Sequence, residues 1–297
     1  MLSALFTVFA LLLAGYLLAR SRRVPDNAAD VLNRFVIDIC VPATILRVVP
    51  KLTLGAGLVV LVVVPWAIAG LAYLLTWAAA RAFAFDRTSR TALFLATALG
   101  NTSFLGFPLC NALLGERSVP LAAVYDQLGS FLLLSTLAPI ALAGVGSGPR
   151  PRPREIARRV LTFPPLIALV VALLPLQHPA VLEPLYASAG SALVPLAMVA
   201  VGMKLRLTPP RPLSVFALGL ALKLLVLPCA AWAIVRALAA PPLIAKVAVL
   251  ETAMPMMMTA GALMMAYEVA SELAAAWVGW GLVISLATVP AWAFVLR

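Results

Sequence analysis

Apolar and polar positions alternate along this chain in long blocks, without the short periods that mark an amphipathic helix or a half-buried strand. Ten apolar blocks are separated by short polar gaps, and the blocks cover residues 2–19, 29–49, 54–80, 89–115, 119–146, 156–176, 180–203, 213–239, 242–266 and 272–296. An α-helix needs about 20 apolar residues to cross the hydrocarbon core of a bilayer. The pattern therefore predicts an all-α membrane protein with ten transmembrane helices, called segments 1 to 10 in chain order.

The composition excludes the soluble classes. Of the 297 residues, 64% are hydrophobic and only 11% are charged, whereas soluble proteins have about 45–50% apolar and about 25% charged residues. A net charge of +11 would suggest nucleic-acid binding in a soluble protein. In this chain the basic residues lie in the short gaps, where they face lipid headgroups. We therefore expect the lipid bilayer as the surrounding partner, and no nucleic acid.

The basic residues also predict an orientation. With both termini outside, the inner loops carry 14 basic residues and the outer side carries 6, as the positive-inside rule requires. The first block is followed, not preceded, by its arginines, which favours a first transmembrane helix over a signal peptide. The turn around Glu268 and Glu272 departs from the rule, because it has no basic residue.

A Gly-, Pro- and Arg-rich stretch at the middle of the chain divides it into two similar halves. Prolines recur at matching places: Pro42 and Pro195 in segments 2 and 7, Pro65 and Pro228 in segments 3 and 8, and Pro108 and Pro255 in segments 4 and 9. Because five segments per half is an odd number, the second half enters the membrane upside down. We predict a five-helix repeat over 1–146, a flexible cytoplasmic linker over 147–155 and an inverted five-helix repeat over 156–297.

Segments 4 and 9 each contain a polar, helix-breaking run near their middle. Each run contains a proline, which clashes with the carbonyl four residues before it and leaves that carbonyl free, at Phe104 and at Glu251. We therefore expect the two helices to break within residues 100–108 and 251–261. Non-helical backbone at membrane depth is tolerated only inside protein or beside water. The paired breaks predict a substrate site, although two proline kinks would be the simpler explanation. Its candidate residues are Asn101, Thr102, Ser103, Pro108, Thr252, Pro255 and Met256.

Four charged residues inside the segments are candidates for ion coupling, because a charge at membrane depth is costly. Glu251 is the strongest, since its carboxylate could bind Na⁺ or carry a proton. Lys223 could neutralise an acid or stand where a bound cation would otherwise sit. Asp38 is four residues from Arg34 and could simply pair with it. Asp126 could be either an interfacial acid or a proton relay.

The sequence has no cluster of residues typical of a catalytic site or a transition-metal site. Cys40, Cys110 and Cys229 lie in apolar blocks without a C-x-x-C pair, and the single histidine, His178, falls in a loop. An intramembrane protease would need a nucleophile and a base in one cavity, and a Mg²⁺-dependent transferase would need clustered aspartates. We therefore expect no enzyme activity, no cofactor and no metal beyond Na⁺ at Glu251.

Three stretches resemble the auxin efflux carrier family. Residues 33–43 are similar to its second helix, Gly100–Pro108 with Gly115–Glu116 to its fourth, and residues 253–268 to its ninth. The family includes plant PIN carriers and bacterial permeases described as malonate or malate carriers. The resemblance implies two inverted repeats, a scaffold and a transport domain, and crossed broken helices 4 and 9, as in bile-acid:sodium symporters and sodium/proton antiporters.

The resemblance also carries residue roles. The family's crossover prolines correspond to Pro108 and Pro255, and its polar fourth-helix residue to Asn101. Glu251 resembles an acid in the ninth helix of bile-acid:sodium symporters. The short central linker departs from the plant members, which have a long cytosolic loop.

The leading hypothesis is a secondary active transporter of small organic anions in the bacterial cytoplasmic membrane, working by alternating access. Carboxylates such as malate, malonate or auxin-like acids are the expected substrates, and Na⁺ or H⁺ the coupling ion. A drug/metabolite-type ten-helix exporter is the alternative, and a passive channel lacks a charged ring or filter motif. Substrate identity, transport direction and a homodimer remain open at this stage.

The basic-residue count makes a testable prediction about topology. Reporter fusions at the two termini should be active outside the membrane, and fusions in the 147–155 linker should be active in the cytoplasm. A cytoplasmic C-terminus would contradict the ten-helix prediction.

Overall fold

The computed structural model describes residues 2–52, 55–174 and 179–296, and His178 lies outside the described residues. Within those ranges all regular secondary structure is helical, and Gly100 and Met256 form an isolated antiparallel bridge. The prediction of an all-α protein is confirmed for this part of the chain.

The helices follow the ten predicted segments. The first half contains Leu2–Arg20 in segment 1; Ala28–Phe35, Val36–Cys40 and Val41–Val48 in segment 2; Val59–Ala82 in segment 3; Arg87–Ala98, Thr102–Gly106 and Phe107–Leu114 in segment 4; and Val119–Tyr125, Asp126–Ser130 and Phe131–Ala143 in segment 5. The second half contains Pro153–Leu161 and Pro164–Leu173 in segment 6; Glu183–Ser191 and Leu193–Met203 in segment 7; Leu213–Ala221, Leu222–Val226 and Leu227–Ala237 in segment 8; Pro242–Thr252 and Met258–Ala266 in segment 9; and Ser271–Val295 in segment 10.

Five helical stretches in the described part of the chain are long and apolar enough to cross a membrane by themselves. They are Ala56–Ala82, Glu116–Ala143, Glu183–Met203, Leu213–Ala237 and Ser271–Val295, and the bent pair of helices in segment 6 could add a sixth. Segments 4 and 9 fall short because each is interrupted near its middle. The protein is thus a helical membrane protein with several spanning helices.

Segment 6 differs from its prediction as one continuous helix. Its two helices meet at an angle of 59°. The first, Pro153–Leu161, carries Arg154, Arg158 and Arg159 and is exposed or half-buried throughout. Pro164 and Pro165 begin the second, where their missing N–H groups cost little, and the residue before a proline disfavours helical geometry. The predicted block therefore joins a basic surface helix to a short apolar one.

Four of the segments contain a π-helical turn, at Val36–Cys40, Thr102–Gly106, Asp126–Ser130 and Leu222–Val226. Three of these turns lie directly before a residue–proline pair, at Pro42, Pro108 and Pro228. At each, the N–H before the proline donates to the carbonyl five residues back, which widens the helix where the ring would clash. The turns let three prolines remain inside helices.

The loops lie on two faces of the molecule. On one face, a cavity of about 480 Å³ is lined by Asp26, Lys204 and Met265, so the turns after segments 1, 7 and 9 lie together. On the other, a cavity of about 730 Å³ is lined by Lys51, Arg117 and Pro241, so the turns after segments 2, 4 and 8 lie together. Arg47 joins this second group to the start of segment 7, with its Nε 3.2 Å from Glu183 Oε1.

The start of the central linker forms hydrogen bonds with the turn that follows segment 9. The N–H of Ser147 donates to the carbonyl of Tyr267 at 3.1 Å, and the Tyr267 hydroxyl donates to the carbonyl of Pro149 at 3.0 Å. Gly148 permits this contact, because a side chain there would overlap the Tyr267 ring. These bonds place the linker on the same face as the turn between segments 9 and 10, which we call the linker face.

Candidate functional site

Segment 4 breaks at Leu99–Asn101, at the start of the predicted run 100–108 and ahead of Pro108. Its first helix is capped by Asp86, which accepts from the N–H of Ser89 at 3.0 Å, a hydrogen bond that lowers the pKa of Asp86. That helix ends at Ala98. Pro108 is buried inside the second helix, where the preceding π-helical turn accommodates its ring. The proline therefore shapes the second half of the segment without interrupting it.

Segment 9 breaks between Thr252 and Met258, and this break contains Pro255 as predicted. One detail differs. The carbonyl of Glu251 was expected to be left free, but it accepts from the N–H of Met254 at 3.3 Å. A tight turn at the end of the first helix thus supplies the partner that the proline cannot provide.

The two breaks cross and pair with each other. The N–H of Asn101 donates to the carbonyl of Pro255 at 2.8 Å, and the N–H of Met257 donates to the carbonyl of Leu99 at 2.9 Å. Gly100 and Met256 face each other between these bonds as an antiparallel bridge. We call residues 99–101 and 253–257 the crossover. Its backbone pairing brings four helix ends to one place.

Two threonines mark equivalent positions before the two breaks. The hydroxyl of Thr97 donates to the carbonyl of Leu93, and that of Thr252 donates to the carbonyl of Ala248, both at 2.8 Å. Such bonds to the preceding helical turn are typical of threonine near helix irregularities. The two helices therefore end in a similar way at the crossover.

Asp126 lies within the protein and not at its surface. Asp126 is only 1% exposed, and its carboxylate accepts hydrogen bonds from the hydroxyls of Thr102 and Ser103, the latter at 2.7 Å. Gln127 Nε2 donates to the same carboxylate at 2.5 Å. Three donors around one buried carboxylate are a favourable arrangement for a charged acid. Thr102 and Ser103, predicted as substrate ligands, thus use their hydroxyl hydrogens to hold Asp126.

Glu251 is fully buried beside segment 4. Its Oε1 accepts from the thiol of Cys110 at 3.4 Å, and its Oε2 has no hydrogen-bond partner among the described residues. The carboxylate rests on Gly106, where an added Cβ would lie 2.7 Å from Oε1. Gly106 is therefore required by space. A buried carboxylate with a free oxygen can accept a proton or a cation.

Lys223 is buried beside the crossover. It is 4% exposed, and the described part of the structure holds no ion pair within 4 Å between its ammonium and Glu251. Its Nζ lies against Gly100, 3.1 Å from where a Cβ would stand. Lys223 is thus brought to the crossover as a charge without a direct ionic partner.

The remaining predicted residues divide between the crossover and other places. Asn101 is 2% exposed, and its amide oxygen has no partner in the described structure. The hydroxyl of Thr252 is 2.9 Å from that of Tyr125, and Met256 is buried. Asp38, in contrast, is exposed and accepts from Arg34 Nε at 2.9 Å, which is the simple pairing considered from the sequence.

Four residues at the site did not emerge from the sequence. Cys110 and Gly106 contact Glu251, Gln127 contacts Asp126, and Tyr125 contacts Thr252. Gly106 belonged to the glycine-rich run of segment 4, so its position gave a signal. The other three are ordinary residues of apolar segments, and only the folded contacts reveal them.

Cavities approach the crossover helices from both faces. On the linker face, the 480 Å³ cavity reaches Phe104 and Met258, at the start of the second helices of segments 4 and 9. On the opposite face, a cavity of about 240 Å³ reaches Phe107 and Asn111. Phe104 and Phe107 lie one helical turn apart, so the two cavities reach neighbouring positions on the same helix.

The bonding of Asp126 makes a testable prediction. Asp126→Asn should lower the free energy of unfolding by about 1–3 kcal/mol. The substitution removes the negative charge that three hydrogen-bond donors surround, and it replaces one acceptor oxygen of the side chain by an NH₂ donor. Thermal unfolding of the detergent-solubilised protein measures the loss. Asp38→Asn is the matched control and should have little effect, since an exposed ion pair contributes about 0–1 kcal/mol. Equal effects of the two substitutions would contradict the assignment.

Comparisons with known proteins match nearly the whole chain to membrane transporters. A family model described as "membrane transport protein" matches residues 1–146 and 152–293. An "uncharacterized transporter" of Methanothermobacter thermautotrophicus is 29% identical over 98% of this chain and 96% of its own length. An "uncharacterized transporter" of Methanocaldococcus jannaschii is 27% identical over 97% of this chain and 96% of its own length.

Proposed function

Because the chain belongs to the membrane transport protein family, we propose that it is a secondary active transporter of small organic anions that works by alternating access. Membership confirms the resemblance to the auxin efflux carriers, and the family is one of transporters and not of enzymes. Carboxylates such as malate, malonate or auxin-like acids are the proposed substrates, and the bacterial cytoplasmic membrane is the proposed location.

The proposed topology has ten crossings in two inverted five-helix repeats, with both termini outside. The distribution of loops supports it. Turns after segments 1, 5, 7 and 9 lie on the linker face, and turns after segments 2, 4 and 8 lie on the opposite face, as alternate crossings require. The start of segment 7 also lies on that opposite face, through Glu183. In this topology the linker face is cytoplasmic.

The observation that carries the proposal is the crossover between two cavities. Broken helices at membrane depth place N-terminal ends, which attract anions, and C-terminal carbonyls, which attract cations, around one point. Cavities reach the second halves of the broken helices from both faces. A small rearrangement of these helices against segments 2 and 7 would open the crossover to one face at a time.

Residues at the crossover have distinct proposed roles. The side chain of Asn101, whose amide oxygen has no partner in the described structure, and the backbone around Pro255 and Met256 form the proposed substrate site, with Asp126 holding Thr102 and Ser103 in place. Glu251 is the proposed coupling residue, because its free Oε2 can accept either Na⁺ or H⁺. Lys223 adds a positive charge to the same region.

Uptake by reconstituted protein tests the function. Liposomes containing the purified protein would be assayed with radiolabelled malate, malonate and indole-3-acetate under imposed Na⁺ and H⁺ gradients, with protein-free liposomes as the control. Saturable uptake that depends on a gradient supports the proposal. Rapid, non-saturating flux would indicate a channel instead, and absence of carboxylate uptake would contradict the substrate class.

Asn101→Ala should abolish or strongly weaken substrate binding while leaving the fold intact, because it removes the side-chain amide, with its donors and its acceptor, from the crossover. Substrate-induced shifts in thermal unfolding measure this loss. Asn27→Ala removes the same group from an exposed loop and should bind substrate normally. Unchanged affinity in a folded Asn101→Ala protein would remove Asn101 from the proposed site.

Glu251→Gln should retain substrate exchange but lose accumulation driven by an ion gradient, because the amide keeps the size of the side chain but neither carries a proton nor supplies a charge. Gradient-driven uptake and substrate exchange in liposomes separate the two effects. Glu272→Gln, an exposed change of the same kind, is the control. Accumulation at the native level in Glu251→Gln would falsify the coupling role.

A further inference from the structure

Lys223 is a buried basic residue whose ammonium lies beside the crossover at Gly100. It lies in the π-helical turn Leu222–Val226 of segment 8. Within the described residues its ammonium makes neither a hydrogen bond nor an ion pair within 4 Å, although charges at membrane depth are costly and are normally compensated. The compensation must therefore come from the groups around it that are not direct ionic partners.

These surrounding groups are negative. A Cβ atom added to Gly100 would stand 3.1 Å from Lys223 Nζ, 3.4 Å from the carbonyl oxygen of Glu251 and 3.5 Å from that of Met254. The ammonium and the two carbonyl oxygens therefore border the same small space beside Gly100. The helices Arg87–Ala98 and Pro242–Thr252 both end at the crossover, and a helix C-terminus carries a partial negative charge. The Glu251 side chain adds its own attraction for Lys223.

Carbonyl ends of broken helices are places where transporters bind cations. A hard cation needs a shell of about six oxygen ligands, some of which are often water molecules. Beside Lys223 the cavity lined by Ala96, Pro255 and Trp277 measures only about 10 Å³, which is at the lower limit for one water molecule. The lysine therefore adds a like charge and leaves no room for a hydrated cation.

We propose that the Lys223 ammonium is the resident cation of the crossover: it occupies the place at the carbonyl ends that an inorganic cation would take, so the protein binds no Na⁺ there. The inference rests on the proposed function for its meaning in transport, where it removes Na⁺ as the coupling ion. Its test needs no substrate.

The experiment is a Na⁺ titration followed by thermal unfolding. The purified protein would be compared in NaCl and choline chloride at constant pH and ionic strength. The native protein should show no saturable Na⁺-dependent rise in Tm. Lys223→Gln should gain one, of about 3 °C at tenfold the half-saturating concentration, because a bound ligand stabilises the folded state by mass action.

Two further variants locate the response. Adding Glu251→Gln to Lys223→Gln should remove the Na⁺ effect, because the negative charge that attracts a cation to this place is lost. Lys246→Gln changes another lysine, on segment 9, that is only half-buried. It should remain as insensitive to Na⁺ as the native protein.

Two outcomes of the Na⁺ titration would overturn the proposal. A saturable Na⁺-dependent rise in the native protein overturns the proposal and needs no variant. A folded Lys223→Gln or Lys223→Met protein that does not respond to Na⁺ overturns it as well, because the lysine would then have covered no cation site. Failure of carboxylate uptake in liposomes would instead contradict the proposed function and leave this titration unaffected.

Discussion

The pairing of two interrupted helices is the constraint on which the rest of the site depends. In a bilayer an unpaired backbone group costs several kcal/mol, so one broken segment would be expensive alone. In segment 4 the break leaves the N–H of Asn101 and the carbonyl of Leu99 without helical partners. The carbonyl of Pro255 and the N–H of Met257, both in the break of segment 9, bond to these groups. Each break is thus stabilised by the other, and neither segment can be interpreted in isolation.

Charge at the crossover follows the direction of the helices. Asp126 accepts from Thr102 and Ser103, the first two residues after the break in segment 4, where the helix N-terminus is positive. Lys223 lies against Gly100, beside the C-terminal ends of the first helices. Side chains from segments 5 and 8 therefore complement opposite ends of the broken helices. This arrangement keeps a polar site electrically balanced inside an apolar protein.

The sequence was sufficient for the segments but not for the details of the site. Long apolar blocks located the helices, because the requirement for length and hydrophobicity acts on every residue of a block. The position of the break in segment 4 could not be predicted from Pro108, since a π-helical turn absorbs the proline ring. The burial of Asp126 was equally hidden, because its donors are distant in sequence.

The turn between segments 9 and 10 shows how a local rule can be satisfied through space. Its lack of basic residues departed from the distribution along the chain, and Glu268 even adds an acid. In the structure Ser147 donates to Glu268 at 2.8 Å, and the arginine-rich linker follows directly. The turn therefore lies beside positive charge that another loop supplies. Orientation rules act on the charge that a face presents, and folding determines which loops share that face.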